Sequence, residues 1–185
     1  MESSNEETRE PLFIKENVVK QLLNWNECVE AIEQALVSVL NNNIVGKPTS
    51  SQTARTFTLA GENGVLLSMP GYIGNYPLWS VTNEQKHSTL ACKLVTSFSA
   101  NSHATPPLPT ILATILLFDS NTGKLKAIVE GTEITAWRTA ATSLVATKHL
   151  YYNQHKTSGP NHKLAILGTG TQVCITYYYY DYIFL

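Results

Sequence analysis

The chain has 185 residues, 43% of them hydrophobic, and a formal net charge of −1, which is the balance of a globular protein with a core. That charge, without any Lys/Arg run, excludes a partner held by long-range attraction to a polyanion, whether nucleic acid or an anionic membrane surface. The polar start Met1-Glu2-Ser3-Ser4-Asn5-Glu6-Glu7 lacks a signal-peptide core and the apolar end, Val173 to Leu185, is too short to span a bilayer, so a cytoplasmic protein acting on a small molecule is expected.

The first dozen residues are polar and are expected to lie outside the fold. Leu12-Phe13-Ile14 reads as a short strand and Glu16 to Leu23 as a short helix. A longer helix starts at Asn24 or Asn26, either of which can cap it, and puts Val29, Ile32, Leu36 and Val39 on one face. Alternation over Thr53 to Leu59, a Gly61-Glu62-Asn63-Gly64 turn and the apolar run Val65 to Met69 predict a hairpin. Gly71 to Thr89, rich in Gly, Pro, Asn and Ser, reads as a long surface excursion. Strand character returns at Leu90 to Ser99. After a loop with Pro106, Pro107 and Pro109, the strands Ile111 to Phe118 and Lys124 to Val129 flank the turn Asp119-Ser120-Asn121-Thr122-Gly123. Thr132 then caps a helix reaching about Leu150, with Ala136, Ala140, Ser143, Val145 and Ala146 inward. A polar linker, Gln154 to His162, precedes a strand from Lys163 to Leu167.

That strand enters Gly168-Thr169-Gly170-Thr171-Gln172. A Gly-x-Gly turn bends the backbone tightly and brings amide N–H groups and a helix N-terminus toward a pyrophosphate. The acidic residue that grips a ribose is expected about 20 residues later, at or beyond Leu185. The expected class is therefore α/β: residues 11–153 form an α+β domain with a mixed, largely antiparallel sheet, and 160–185 hold the truncated first strand and Gly-rich turn of a Rossmann-like NAD(P)-binding domain. Val173 to Leu185, β-branched and tyrosine-rich, is expected to be neither helical nor docked.

Three cations stand out. Arg138 has Thr139, Ala140, Ala141 and Thr142 as helical neighbours and no local carboxylate. It either snorkels to solvent or clamps a ligand anion bidentately. Arg55 shares strand parity with Phe57 and Leu59 and so points to their face, unless it is an edge-strand surface charge. Lys93 interrupts an otherwise buried strand, a costly place for a lone cation unless a partner or ligand meets it. Cys28, Cys92 and Cys174 lack the spacing of a zinc site or disulfide framework and read as buried free thiols. His149, His155 and His162 read as solvated, and no metal site is expected.

The segments Ser68-Met69-Pro70-Gly71-Tyr72, Lys93-Leu94-Val95-Thr96, Pro109 to Asp119, Gly131-Thr132-Glu133-Ile134-Thr135-Ala136-Trp137-Arg138-Thr139-Ala140-Ala141 and Ile166 to Gln172, taken in order, resemble the ornithine cyclodeaminase/mu-crystallin family, nearest its ketimine reductase branch. The resemblance spans Leu12 to Gln172. It implies a two-domain homodimer that uses NADPH or NADH to reduce the C=N bond of a cyclic ketimine carboxylate. Arg55, Lys93 and Arg138 match its substrate pocket, the arginines on the carboxylate and Lys93, as the catalytic residue, orienting the reacting group. Gly168, Thr169, Gly170, Thr171 and Gln172 match its cofactor turn, with Val173 where a small residue would allow close packing. Alternatives within the resemblance are deamination of a basic amino acid, as by an ornithine cyclodeaminase, and a non-catalytic dimer binding a carboxylate ligand of the thyroid-hormone type.

Overall fold

The computed structural model describes residues 10–41, 49–77, 86–152, 165–168 and 170–184, with side chains as far as Tyr177. In chain order the elements are β1 (Leu12–Ile14), α1 (Glu16–Leu22), α2 (Trp25–Leu40), β2 (Thr49–Gln52), β3 (Thr56–Ala60), β4 (Gly64–Pro77), β5 (Lys86–Phe98), β6 (Ile111–Phe118), β7 (Leu125–Glu130), α3 (Thr132–Thr147) and α4 (Thr171–Phe184). The strands form one sheet ordered β1-β7-β6-β5-β4-β2, with β3 also on β4. Among the described residues only the β1–β7 pair is parallel, so the mixed, largely antiparallel sheet expected from two hairpins is present.

The β6–β7 turn forms as its residues dictate. The Asp119 carboxylate accepts the backbone N–H groups of Asn121 and Thr122 and the Thr122 hydroxyl, and Gly123 takes the left-handed φ of +74° that favours glycine. Those bonds, the Thr122 amide first, hold the Asp119 carboxyl below its ordinary value. The expected excursion over Gly71 to Thr89 is instead largely paired. Gly71 faces Ala91, Tyr72 faces Leu90, and beyond a bulge at Asn75 (φ 58°) Tyr76 faces His87. Tyr72 and Tyr76 donate to or share hydrogen bonds with Ser88 and Thr89 across the ladder. A bulge absorbs the irregular composition without ending the strand. Residues 78–85 lie outside the described residues, and β2, polar throughout, carries no sequence signal of a strand.

Helix α2 is capped by Asn24, whose side chain accepts the Glu27 N–H at 3.2 Å. Its packed face holds only the first half of the expected stripe, Val29 and Ile32. Trp25, Cys28, Val29 and Ile32 meet Ala140, Ala141 and Leu144 of α3, whereas Leu36 and Val39 are 44% and 56% exposed. Residues as small as Ala140 and Ala141, both fully buried, let α3 approach α2 closely and give room to the Trp25 indole, which sits edge-on to Trp137 at 5.4 Å. Ser143 and Ala146, expected inward, are exposed, and Leu144 takes their place.

The start of α3 is fixed from a distance. Gly131 occupies the cap position, and Thr132 turns its hydroxyl back to accept the Ala113 N–H at 3.1 Å rather than capping the helix. The unpaired amides of Thr132 and Glu133 donate to the Glu16 carboxylate, while the Glu16 N–H donates to Glu130. A carboxylate at a helix N-terminus satisfies orphan donors and opposes the macrodipole. At the other end Glu33 of α2 accepts from Lys148 at 2.8 Å and contacts His149 at 2.6 Å, so His149 is paired rather than free in solvent. His155 and His162 lie outside the described residues.

The C-terminal segment overturns two expectations. Residues 165–168 are not in a strand and Leu167 is 95% exposed, while Lys163 and Leu164, where the expected strand starts, lie outside the described residues; an apolar run alone does not make a strand. Thr171–Phe184 is helical despite its β-branched and aromatic composition, and Ile175 docks on the Trp25, Ala140, Ala141 and Leu144 cluster. Propensity differences of about 0.7 kcal/mol per residue or less give way to such packing. Cys28 and Cys92 are half-buried, but Cys174 is exposed, not buried. Burial pushes the Cys28 thiol up to about 11.

Candidate anion-binding site

Lys93 lies at the middle of β5, between Met69 of β4 and Ile115 of β6. Residues paired across a ladder share a face, and Ile115 is packed beneath Gly131, where an added Cβ would come within 2.9 Å of its side chain. Lys93 therefore projects on the face over which α3 begins. Arg138 sits in α3 and is half-buried; its Nε is buried with no hydrogen-bond partner among the described residues. Arg55 lies in the coil between β2 and β3 and is exposed. Its expected companions Phe57 and Leu59 are 69% and 75% exposed, so the face they share is open to solvent.

The three cations are close enough to perturb one another. Burial first, then Arg138 and Arg55, bring the Lys93 amine down to about 8. Burial and Arg55 likewise lower Arg138. None of the three joins an ion pair among the described residues. Like charges gathered in a half-buried place without a carboxylate raise the energy of the empty site and lower that of an anion-filled one. Met69 and Ile115 flank Lys93 across the ladder and make its surroundings apolar. A cavity of about 430 Å³ at the α1–α3 junction is different in kind, being lined by Glu16, Glu130, Glu133 and Lys20 and by none of the three cations.

At the glycine turn, Gly168 has φ +119° and Gly170 has open space where a side chain would stand. The Gly170 carbonyl accepts the Cys174 N–H at 3.2 Å, opening α4. A glycine turn leading into a helix N-terminus fits a pyrophosphate. Thr171 and Gln172 are exposed there, and Thr169 lies outside the described residues. A Cβ on Gly168 would meet Val173 at 3.3 Å, so the glycine leaves room for the β-branched residue. Sequence reasoning missed Glu16 because nothing local ties it to α3, more than a hundred residues away. The apolar flanks at Met69 and Ile115 depend on strand register and were equally out of reach.

A seven-stranded, largely antiparallel sheet with helices packed on it defines a mixed α/β module, and the comparisons with known proteins give it a lineage. The chain belongs to the ornithine cyclodeaminase/mu-crystallin family, whose model matches residues 9–181. It is 31% identical over 163 residues to the ketimine reductase mu-crystallin of Macropus fuliginosus, covering 88% of this chain and 46% of that protein. It is 30% identical over 161 residues to a Delta(1)-pyrroline-2-carboxylate reductase of Bacillus cereus, covering 87% and 42%. Among solved structures, Thermococcus litoralis Delta(1)-pyrroline-2-carboxylate reductase in complex with NADH and L-proline superposes with a TM-score of 0.70 at 30% identity, covering 93% of this chain and 46% of that one. The chain thus spans less than half the length of these relatives.

Proposed function

We propose that residues 11–153 are the substrate-binding and dimerisation unit of an NAD(P)H-dependent ketimine reductase, and that residues 160–185 contribute the start of its cofactor unit. The observation that carries this reading is the grouping of Arg55, Lys93 and Arg138, none in an ion pair among the described residues, beside Met69 and Ile115. Arg138 and Arg55 hold the carboxylate of a cyclic imine. Lys93 faces the ring nitrogen and can exchange a proton with it near neutrality. Bound NADPH or NADH supplies the hydride. Gly168, Thr169, Gly170, Thr171 and Gln172 would receive its pyrophosphate. The relatives support the reading, since one is a ketimine reductase and another is solved with NADH and L-proline.

A homodimer completes the proposal. Phe13, Leu66 and Leu112, on the sheet face opposite Lys93, are 57%, 38% and 40% exposed, an apolar surface suited to a second copy. Titration calorimetry with pyrrole-2-carboxylate, a planar and unreactive analogue of the cyclic imine, tests the substrate site. Saturable binding weakened at least about tenfold, or 1.4 kcal/mol, by Arg138→Gln is the expected result. No binding to the folded chain, or equal binding to the variant, would end the proposal.

A further inference from the structure

Lys93 is more than one of three anion contacts. An amine kept protonated attacks no carbonyl, whereas a lysine that is desolvated and set among other cations becomes a nucleophile. Lys93 is half-buried between Met69 and Ile115 on the face where α3 begins, and α3 carries Arg138, whose buried Nε has no partner among the described residues; Arg138 and Arg55 also disfavour its proton. The same arginines would fix a carboxylate next to it. In a 2-oxo acid the carbonyl carbon is bonded directly to the carboxylate carbon, so an anchored carboxylate delivers the carbonyl to the amine. The other described lysines lack this setting; Lys20, Lys126 and Lys148, for example, are each within 4.0 Å of a carboxylate.

We propose that Lys93 condenses reversibly with 2-oxo acids held by Arg138 and Arg55, giving the chain a covalent imine chemistry that needs no nicotinamide. The proposal rests on the reading of the arginines as a carboxylate clamp. The neutral amine nitrogen adds to the ketone carbon, forming the C–N bond while the carbonyl oxygen gains a proton. The carbinolamine then loses that oxygen as water as the C=N bond forms. The protonated imine that results draws electrons from the adjacent carbon and is released by addition of water. No oxidant or reductant takes part.

Reductive trapping tests it. The full chain is incubated with pyruvate and sodium cyanoborohydride, digested, and the modified lysine identified by mass spectrometry. The expected result is labelling of Lys93 at least tenfold above any other lysine, suppressed by excess pyrrole-2-carboxylate. Labelling at Lys93 should fall at least tenfold in Arg138→Gln and when methyl pyruvate, which has no carboxylate charge, replaces pyruvate. Because the wild-type digest locates the adduct by itself, the test survives a Lys93→Gln variant that fails to fold. Pyruvate adducts spread over exposed lysines, or none at Lys93, would overturn the proposal. If pyrrole-2-carboxylate still binds in an Arg138-dependent way in that case, the carboxylate clamp stands and the covalent step alone is wrong. If neither ligand engages, the clamp itself has failed.

Discussion

Lys93, the proposed catalytic residue, is a half-buried cation that costs the fold stability. Its amine titrates near 8 in the folded chain, against an ordinary value of 10.5. The folded state therefore binds fewer protons than the unfolded state between those values, and the stability of the chain should rise as pH increases through about 8 toward 10.5. Below about 8 both states hold the proton and the penalty of the buried cation is fully present. Urea unfolding of wild type and Lys93→Met from pH 7 to 10 checks this. The variant should be more stable at pH 7 by about 1 kcal/mol, the range typical when a functional residue gives way to an apolar one, and the gap should close as pH rises. Arg138 offers a second test at this scale. Because a guanidinium engages a carboxylate through two parallel bonds and an ammonium does not, Arg138→Lys should keep most of the fold and still lose pyrrole-2-carboxylate affinity by at least about tenfold, or 1.4 kcal/mol. Calorimetry on both arginine variants reads this directly.

Among the elements, α3 carries Arg138 of the proposed site, and its position depends on residues distant in sequence. Glu16 closes its N-terminus and Gly131 lets it sit against Ile115. Glu16→Ala should therefore cost about 1–2 kcal/mol by chemical denaturation, with Glu16→Gln losing less because its amide oxygen still accepts. Gly131→Ala should cost about 1–3 kcal/mol, as overpacking does. The sequence carried the hairpin at Asp119–Gly123 and the Asn24 cap because both are set by neighbours within four residues. It placed half of the α2 stripe: Val29 and Ile32 find the partner, Leu36 and Val39 do not, and Trp25 and Cys28 join the packed face instead. It misjudged α4 more deeply: tyrosines and β-branched residues favour strand, and only the three-dimensional meeting of Ile175 with Ala140 and Ala141 makes a helix of them. Ile175→Asp should release α4, seen as faster amide exchange over residues 171–177 with little change in β5 and β6.

For the whole molecule, among the described residues, the sheet face bearing Lys93 is covered in part by helices and open at Phe57 and Leu59 of β3, and the opposite face exposes Phe13, Leu66 and Leu112. No helix among the described residues is long and apolar enough to cross a membrane. The candidate site was readable in outline because a lone lysine in an apolar strand and an arginine among alanines and threonines are costly wherever they fold. Their mutual proximity was not readable, since it depends on the register of β5 against β6 and on where α3 crosses the sheet. Should a second copy cover the face opposite Lys93, light scattering would report a dimer, and Leu112→Glu should return it to monomer without weakening the binding of pyrrole-2-carboxylate. The central claim, that this surface reads a carboxylate through Arg138, is tested most directly by a cycle in which both protein and ligand are changed. Pyrrole-2-carboxylate and its neutral carboxamide are titrated into wild type and Arg138→Gln. The account predicts a coupling of about 1.5–3 kcal/mol between the guanidinium and the ligand charge; a coupling near zero, with the acid and the amide equally affected by the substitution, would contradict it.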